Sequence, residues 1–475
     1  MAPASLRITD RLLCPLRRVA SNVRLQPFDS STPEGRARER VRKAGLTALT
    51  AAVARAIAML TPLVSMPLTL KYLGLERYGM WQTIVSVVGM MAFADLGLGC
   101  GLLTAVAQAS GRDDKQDAER LVSSAFFVLT AAAGLLLIGF LAVSPLVPWS
   151  RVFNVTSLLA KNEAGASMVA FTLCFGLSLP LGLVQKVQSG YQEGFQSNLW
   201  QCLASVLTLA ALVAAIHARV GLPLLALVIA AVPLLVLALN SIVYFGYQRP
   251  WLRPRWRHFH GPTGRDLLRT GLSFLTITIL MAIGISADNL VVAQILGAEA
   301  VTQLAVPARL VAPLSGVAMM LFLPMWSANG EAIARGDVAW VGKTARRLTA
   351  LTFSLVGCGV IAYVLLGPLV IHSLVGNRVA ADRVLLLGLG AFTVMQAAGG
   401  PAFMVLNSMK LLGIQIVMYS AFTAVGIVAK VLLARRFGIT AIPWAGAASY
   451  ALLVLLPLWI YVPRVLDRLE RRPKP

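Results

Sequence analysis

The sequence predicts an all-α polytopic membrane protein: about 12 transmembrane helices in two parallel six-helix lobes around a central cavity. Three observations carry that expectation. Of the 475 residues, 57% are hydrophobic and only 13% are charged, about half the charged share of an ordinary soluble protein. Apolar runs of about 18 residues or more recur along the chain, each long enough to cross about 30 Å of hydrocarbon. The basic residues gather in alternate connections between those runs, as orienting charges do in a helical membrane protein. A barrel would instead read as short alternating segments.

In order, the spans fall near 45–70, 78–108, 120–148, 165–189, 196–216 and 222–246, then 266–296, 300–329, 346–372, 381–407, 413–434 and 440–463. Residues 1–44 form a basic tail. They are either disordered or, through Leu6, Leu12, Leu13, Leu16, Val19 and Val23, a helix lying on the inner leaflet. The run "YQRPWLRPRWRHFHGPTGR" (247–265) is a basic linker between a 45–246 lobe and a 266–463 lobe, and 464–475 is a second tail.

Charge sets the orientation. Of the 42 Lys and Arg, 30 fall in the tails and even-numbered connections and nine on the opposite side. Both termini are therefore expected in the cytoplasm. The net charge of +22 lies in those tails and short loops, where it meets anionic lipid headgroups rather than nucleic acid. The five cysteines (Cys14, Cys100, Cys174, Cys202, Cys358) are scattered and mostly apolar in context. They give neither a disulfide framework nor a metal site.

The two lobes resemble each other. "GLTALT" opens the first span at 45 and "GLSFLT" sits at 271, while "YLGLERYG" (72–79) matches "ILGAEAVT" (295–302) in Leu-Gly-x-Glu. Six spans per repeat is an even number, so both repeats insert the same way, a transporter arrangement with the path between them.

Enzyme signatures such as GxxxxGK[ST], HExxH and GxSxG are missing from the sequence, and no cofactor is expected. The Asn-Val-Thr at 154–156 fits a glycosylation acceptor, a short and common pattern. Five ionisable residues lie within spans: Arg55, Asp95, Asp288, Arg309 and Lys430. A charge at mid-bilayer costs about 2.5–3.5 kcal/mol on insertion scales, so it faces the bundle interior, a partner or a watery path. At about 1.5 Å per residue, Arg55 and Asp95 sit roughly 15 and 20 Å from the inner end of their spans. Asp288 and Arg309 share a depth nearer the outer end. Two readings follow: the acids and arginines form structural ion pairs, or they line a cavity. In the second, Arg55, Arg309 and Lys430 bind an anionic substrate, and Asp95 and Asp288 balance charge or take up a coupling H+ or Na+. Lys430, near an outer end, could also snorkel to the surface. The three glycines of "FADLGLGCG" (93–101) loosen the helix at Asp95, and a broken helix is tolerated only inside protein or against a cavity.

"YLGLERYGMWQTIVSVVGMMAFADLGLG" (72–99), "GRDDKQDAERLVSSAF" (111–126), "SADNLVVAQILGAEAVTQLAVPARL" (286–310), "LNSMKLLGIQ" (406–415) and "RRFGITAIPWAGAASY" (435–450) occur in that order. Over roughly 45–465 the chain thereby resembles bacterial polysaccharide flippases. These form the polysaccharide transport branch of the multidrug/oligosaccharidyl-lipid/polysaccharide exporter superfamily. The resemblance implies a multi-pass inner-membrane exporter working by alternating access. Its implied cargo is an undecaprenyl-pyrophosphate-linked oligosaccharide for O-antigen or exopolysaccharide assembly, delivered to polysaccharide polymerase machinery. Rival readings are a cation-coupled drug exporter or a peptidoglycan-precursor flippase of the same superfamily. A membrane-embedded glycan polymerase or ligase would need a large polar outer loop. The longest outer connection, 149–164, carries only Arg151, Lys161 and Glu163 as charges.

Overall fold

The computed structural model describes residues 28–29, 32–90, 95–153, 157–296, 298–375 and 382–471. Among them every regular element is helical. The first half comprises α1 (Pro33–Met90), α2 (Leu98–Gly111), α3 (Lys115–Val143), α4 (Leu158–Leu181), α5 (Leu183–Gly190), α6 (Gly194–His217) and α7 (Leu222–Val243). The second comprises α8 (Gly261–Leu296), α9 (Ala298–Phe322), α10 (Met325–Ala334), α11 (Val338–Val375), α12 (Arg383–Ser408), α13 (Leu412–Phe437), α14 (Ala441–Tyr450) and α15 (Leu456–Glu470).

Ten helical stretches among the described residues are long and apolar enough to cross a membrane, and they coincide with the third to twelfth predicted spans. The first two fall on α1 and α2. The 58-residue α1 is two helices meeting at Gly74, whose φ of 74° and ψ of 171° suit glycine alone. α1 starts at Pro33, well ahead of residue 45, so the end of the expected tail belongs to the first helix, with Arg40 only 2% exposed. The apolar positions between Leu6 and Val23 and the 154–156 acceptor lie outside the described residues.

Helix packing repeats between the halves. α1 packs on α6 as α8 packs on α13, α3 on α4 as α11 on α12, and α4 on α7 as α12 on α14. Each half has its own apolar interior. The second is built on residues such as Phe392, Phe422 and Tyr450. The first has one cluster around Leu98, Val122 and Tyr244 and another around Trp81, Ile84 and Met168. The linker winds through short turns, and its Arg255 and His260 amides donate to Ser123 and Ser124 at 3.2 and 3.1 Å.

One end of the bundle carries Arg40, Asp113, Arg249, the linker and Arg335, and is here termed the basic face. The halves meet at this end. α2 begins after a break in which Leu96 and Gly97 take φ of 51° and 68°, as the glycines of 93–101 foretold. The break presses against α8: a Cβ on Gly97 would lie 2.2 Å from the Gly271 carbonyl oxygen. Deeper in, Trp326 donates its indole N–H to Thr104 at 2.9 Å, and Gln108 donates to the Ser408 carbonyl at 2.7 Å. Among the described residues, the hydrogen bonds and ion pairs joining the halves gather at this face.

Candidate substrate cleft between the halves

Above this seam the halves enclose a cleft of about 570 Å³ between α1, α2, α5 and α6 on one side and α9 and α10 on the other. Among the described residues its charged lining side chains are the cations Lys43, Arg55 and Lys186. Gln185, Ser189, Asn198 and Gln201 supply neutral hydrogen-bonding groups, while Met319, Leu323 and Trp326 form an apolar wall opposite.

Arg55 projects from α1 across the cleft. A Cβ on Gly316 of α9 would sit 3.7 Å from the Arg55 guanidinium carbon, so the small residue leaves room for the cation. Arg55 is exposed in the protein's own surface and makes no ion pair among the described residues. Arg309 lies seven residues before Gly316, two helical turns along the same stripe of α9, about 10 Å farther from the seam. It too is exposed and unpaired among the described residues.

Lys186 was not singled out from the sequence, where it reads as the end of a span. α5 is amphipathic: Leu183, Val184, Val187 and Gly190 are buried, while Gln185, Lys186 and Ser189 turn to the cleft. That three-to-four spacing was the available signal. The Lys186 stem lies over Gly99, where an added Cβ would meet its Cε at 2.7 Å and the Asp95 Oδ2 at 3.3 Å. Asp95 thus faces Lys186, although depth alone had placed it beside Arg55. Its other oxygen accepts the Gly97 amide at 2.9 Å and holds the break ahead of α2.

In the second half, Asp288 pairs with Lys430 of α13 rather than with Arg309. Lys430 Nζ lies 2.5 Å from Asp288 Oδ1 and donates to the Gly284 carbonyl at 2.8 Å. The first is a charge contact without aligned hydrogen-bond geometry. Lys430 is fully buried, so its ammonium neither snorkels nor lines the cleft here. Equal depth failed as a guide because pairing also needs facing helices, and the stretch of α8 from Leu280 to Asp288 packs on α13.

On the basic face a second cavity of about 510 Å³ opens, sharing Lys43 and Gln192 with the cleft. The layer between the two is charged. Glu331 of α10 accepts from Arg40 Nε at 3.0 Å, Gln192 Nε2 at 2.7 Å and Arg335 Nε at 2.7 Å. Arg40 also reaches Asp337 at 2.8 Å and covers the Trp340 ring at 4.9 Å, and Arg335 pairs with Asp113 at 2.8 Å. These residues were invisible to a search for charges inside spans, because each lies at or beyond a span end.

Two repeated helical halves around a cationic cleft, tied together at one end, define a two-lobed helical membrane protein. Residues 47–328 match the family described as polysaccharide biosynthesis protein, and the chain belongs to that family. No curated protein matches it in sequence. Its fold is similar to that of a multidrug resistance MATE family transporter of the MOP superfamily in an outward-facing conformation (TM-score 0.74, 15% identity, covering 91% of this chain and 97% of that one). It is also similar to a Vibrio cholerae MATE transporter (0.76, 12%, 92% and 100%). A third similar structure is a Pyrococcus furiosus MOP superfamily transporter described as having a binding pocket of reverse polarity (0.73, 14%, 91% and 97%). At these identities the likeness establishes the fold.

Proposed function

We propose that the protein flips an undecaprenyl-pyrophosphate-linked oligosaccharide from the cytoplasmic to the periplasmic leaflet of a bacterial inner membrane, with the basic face in the cytoplasm. The observation that carries this reading is the polarity of the cleft: among the described residues its charged lining side chains are Lys43, Arg55 and Lys186, with the Asp95 carboxylate set beside Lys186 and Arg55 left without an acidic partner. A diphosphate leaving water needs cationic hydrogen-bond donors, and guanidinium suits its geometry. The same wall repels a cationic drug, which would seek a carboxylate or an aromatic cage. Family membership supports a polysaccharide role, and in the proposed orientation the seam closes the cleft on the cytoplasmic side.

The test is the leaflet location of undecaprenyl-linked glycan in a deletion strain. Inner-leaflet accumulation of one complete repeat unit, relieved by complementation, establishes the flippase. Normal intermediates with lost efflux of a cationic dye would assign the protein to drug export instead.

A further inference from the structure

The seam holds a ready-made anion site that the protein fills with its own side chain. Glu331 is 8% exposed and takes donors from both halves: Arg40 and Gln192 from the first, Arg335 from the second. Gln192 is aimed there by a strained turn. Its φ is 59°, and the turn is clamped behind it by Glu193, which accepts from Arg249 at 2.6 Å and Tyr244 at 2.8 Å. A non-glycine residue held at positive φ costs about 1–3 kcal/mol and persists where the surroundings impose it.

In front of Glu331 lies the basic-face cavity, lined by six cations (Arg36, Arg40, Lys43, Lys115, Arg249, Arg335) and four acids (Glu39, Asp113, Asp114, Glu331). Lys43 contributes an ammonium that donates to the Tyr191 carbonyl at 3.4 Å, the long limit of a hydrogen bond, and lies near enough to Glu39 to lower its pKa. It also lines the cleft beyond. A diphosphate presents the same kind of oxygen to these donors as a carboxylate does, with more charge.

We propose that this cavity is the loading site for a diphosphate on the basic face, and that Glu331 is its stand-in occupant in the closed state. Incoming phosphate oxygens take Arg40 from Glu331 and Asp337, and Gln192 from Glu331. The contact that staples α1 to α10 is then lost, and the halves part on that face. Lys43 and Gln192, which border both spaces, hand the anion toward Arg55 and Lys186. The diphosphate is the substrate class inferred above, so this mechanism rests on that reading, but it has its own readout.

The experiment uses the full chain in nanodiscs, with native cysteines replaced and spin labels at Gln116→Cys and Lys343→Cys, one on each half. Adding inorganic pyrophosphate is expected to lengthen the distance between the labels. Glu331→Gln, which removes the competing carboxylate, is expected to show the longer distance without ligand and to bind pyrophosphate about tenfold to a hundredfold tighter, the worth of one charge-assisted hydrogen bond. Undecaprenyl pyrophosphate in the nanodisc forms a second arm. Lengthening with the lipid alone assigns the site to the membrane-borne diphosphate, and lengthening with both shows that the headgroup suffices. Melting temperature checks that the variant is folded. If pyrophosphate binds but a folded Glu331→Gln binds it no tighter and keeps the short distance, the loading site is overturned while the cationic cleft stands. If neither diphosphate binds any variant, both readings fall.

Discussion

Lys430 Nζ and Asp288 Oδ1 lie 2.5 Å apart within the second half, the lysine without any exposed surface. Each charge is tolerable there because of the other. Removing one partner of a buried ion pair costs about 3–5 kcal/mol, whereas replacing both with neutral groups of similar volume is often close to neutral. Lys430→Met should therefore lower the melting temperature sharply, and Asp288→Asn added to it should recover most of the loss. If the single variant melts like the parent, the pair contributes nothing to the fold.

Arg55 should matter to transport without mattering to stability, since it faces the cleft and has no ion pair among the described residues. Arg55→Ala and Lys186→Ala are each expected to weaken pyrophosphate binding by about tenfold to a hundredfold, the worth of a charge-assisted hydrogen bond. Calorimetric titration at constant ionic strength measures this, with the thermal melt unchanged for Arg55→Ala and lowered for Lys186→Ala, which leaves Asp95 without its cation. Arg55→Lys should recover only part, because a point charge replaces a two-pronged donor.

The close approach of Gly97 to Gly271 makes a steric prediction. A Cβ on Gly271 would meet the Leu96 carbonyl oxygen at 2.7 Å and the Leu98 amide nitrogen at 2.8 Å, backbone atoms that cannot step aside. Gly271→Ala should hold the halves apart on the basic face, so thiol reagents added from that side should label Thr104→Cys faster than in the glycine protein. Equal labelling would mean that the seam closes without this contact.

The seam should resist acid. The Arg335 hydrogen bond holds the Asp113 carboxyl below the usual carboxylate range. A depressed carboxylate contributes its stability fully above the unfolded-state pKa, about 3.9, and loses it as pH falls through the lower folded value. The Asp113–Arg335 contact is thus complete at neutral pH and through mild acidification. Label distances across the seam should stay constant from neutral pH down to about 5, above that titration window, and Asp113→Asn should change the distance without introducing a pH dependence in that range.

The all-helical fold class and the approximate positions of the third to twelfth spans were legible in the sequence because they depend on local quantities: the length of an apolar run and the turns that end it; the start of the first helix at Pro33 was not. Leu96 and Gly97 break the second span where the glycines of 93–101 indicated. The special status of Arg55, Arg309, Asp95, Asp288 and Lys430 was equally legible, since burying an ionised group is costly wherever it occurs. What each of them touches was not. Depth along a helix is a one-dimensional coordinate, and a contact also requires rotation about the axis and a choice of neighbouring helix. The packing of α8 on α13 gave Asp288 to Lys430, and the α4–α5 junction at Gly182 turned Lys186 toward Asp95. The seam of Arg40, Glu331 and Arg335 arises only when the halves close, bringing together residues separated by nearly 300 positions. The sequence by itself determined a bundle of apolar helices with a few costly charges. The tertiary structure decided which charges cancel within a half, which remain free in the cleft and which lock the halves together, because electrostatic energy depends on distances in space that chain separation does not set.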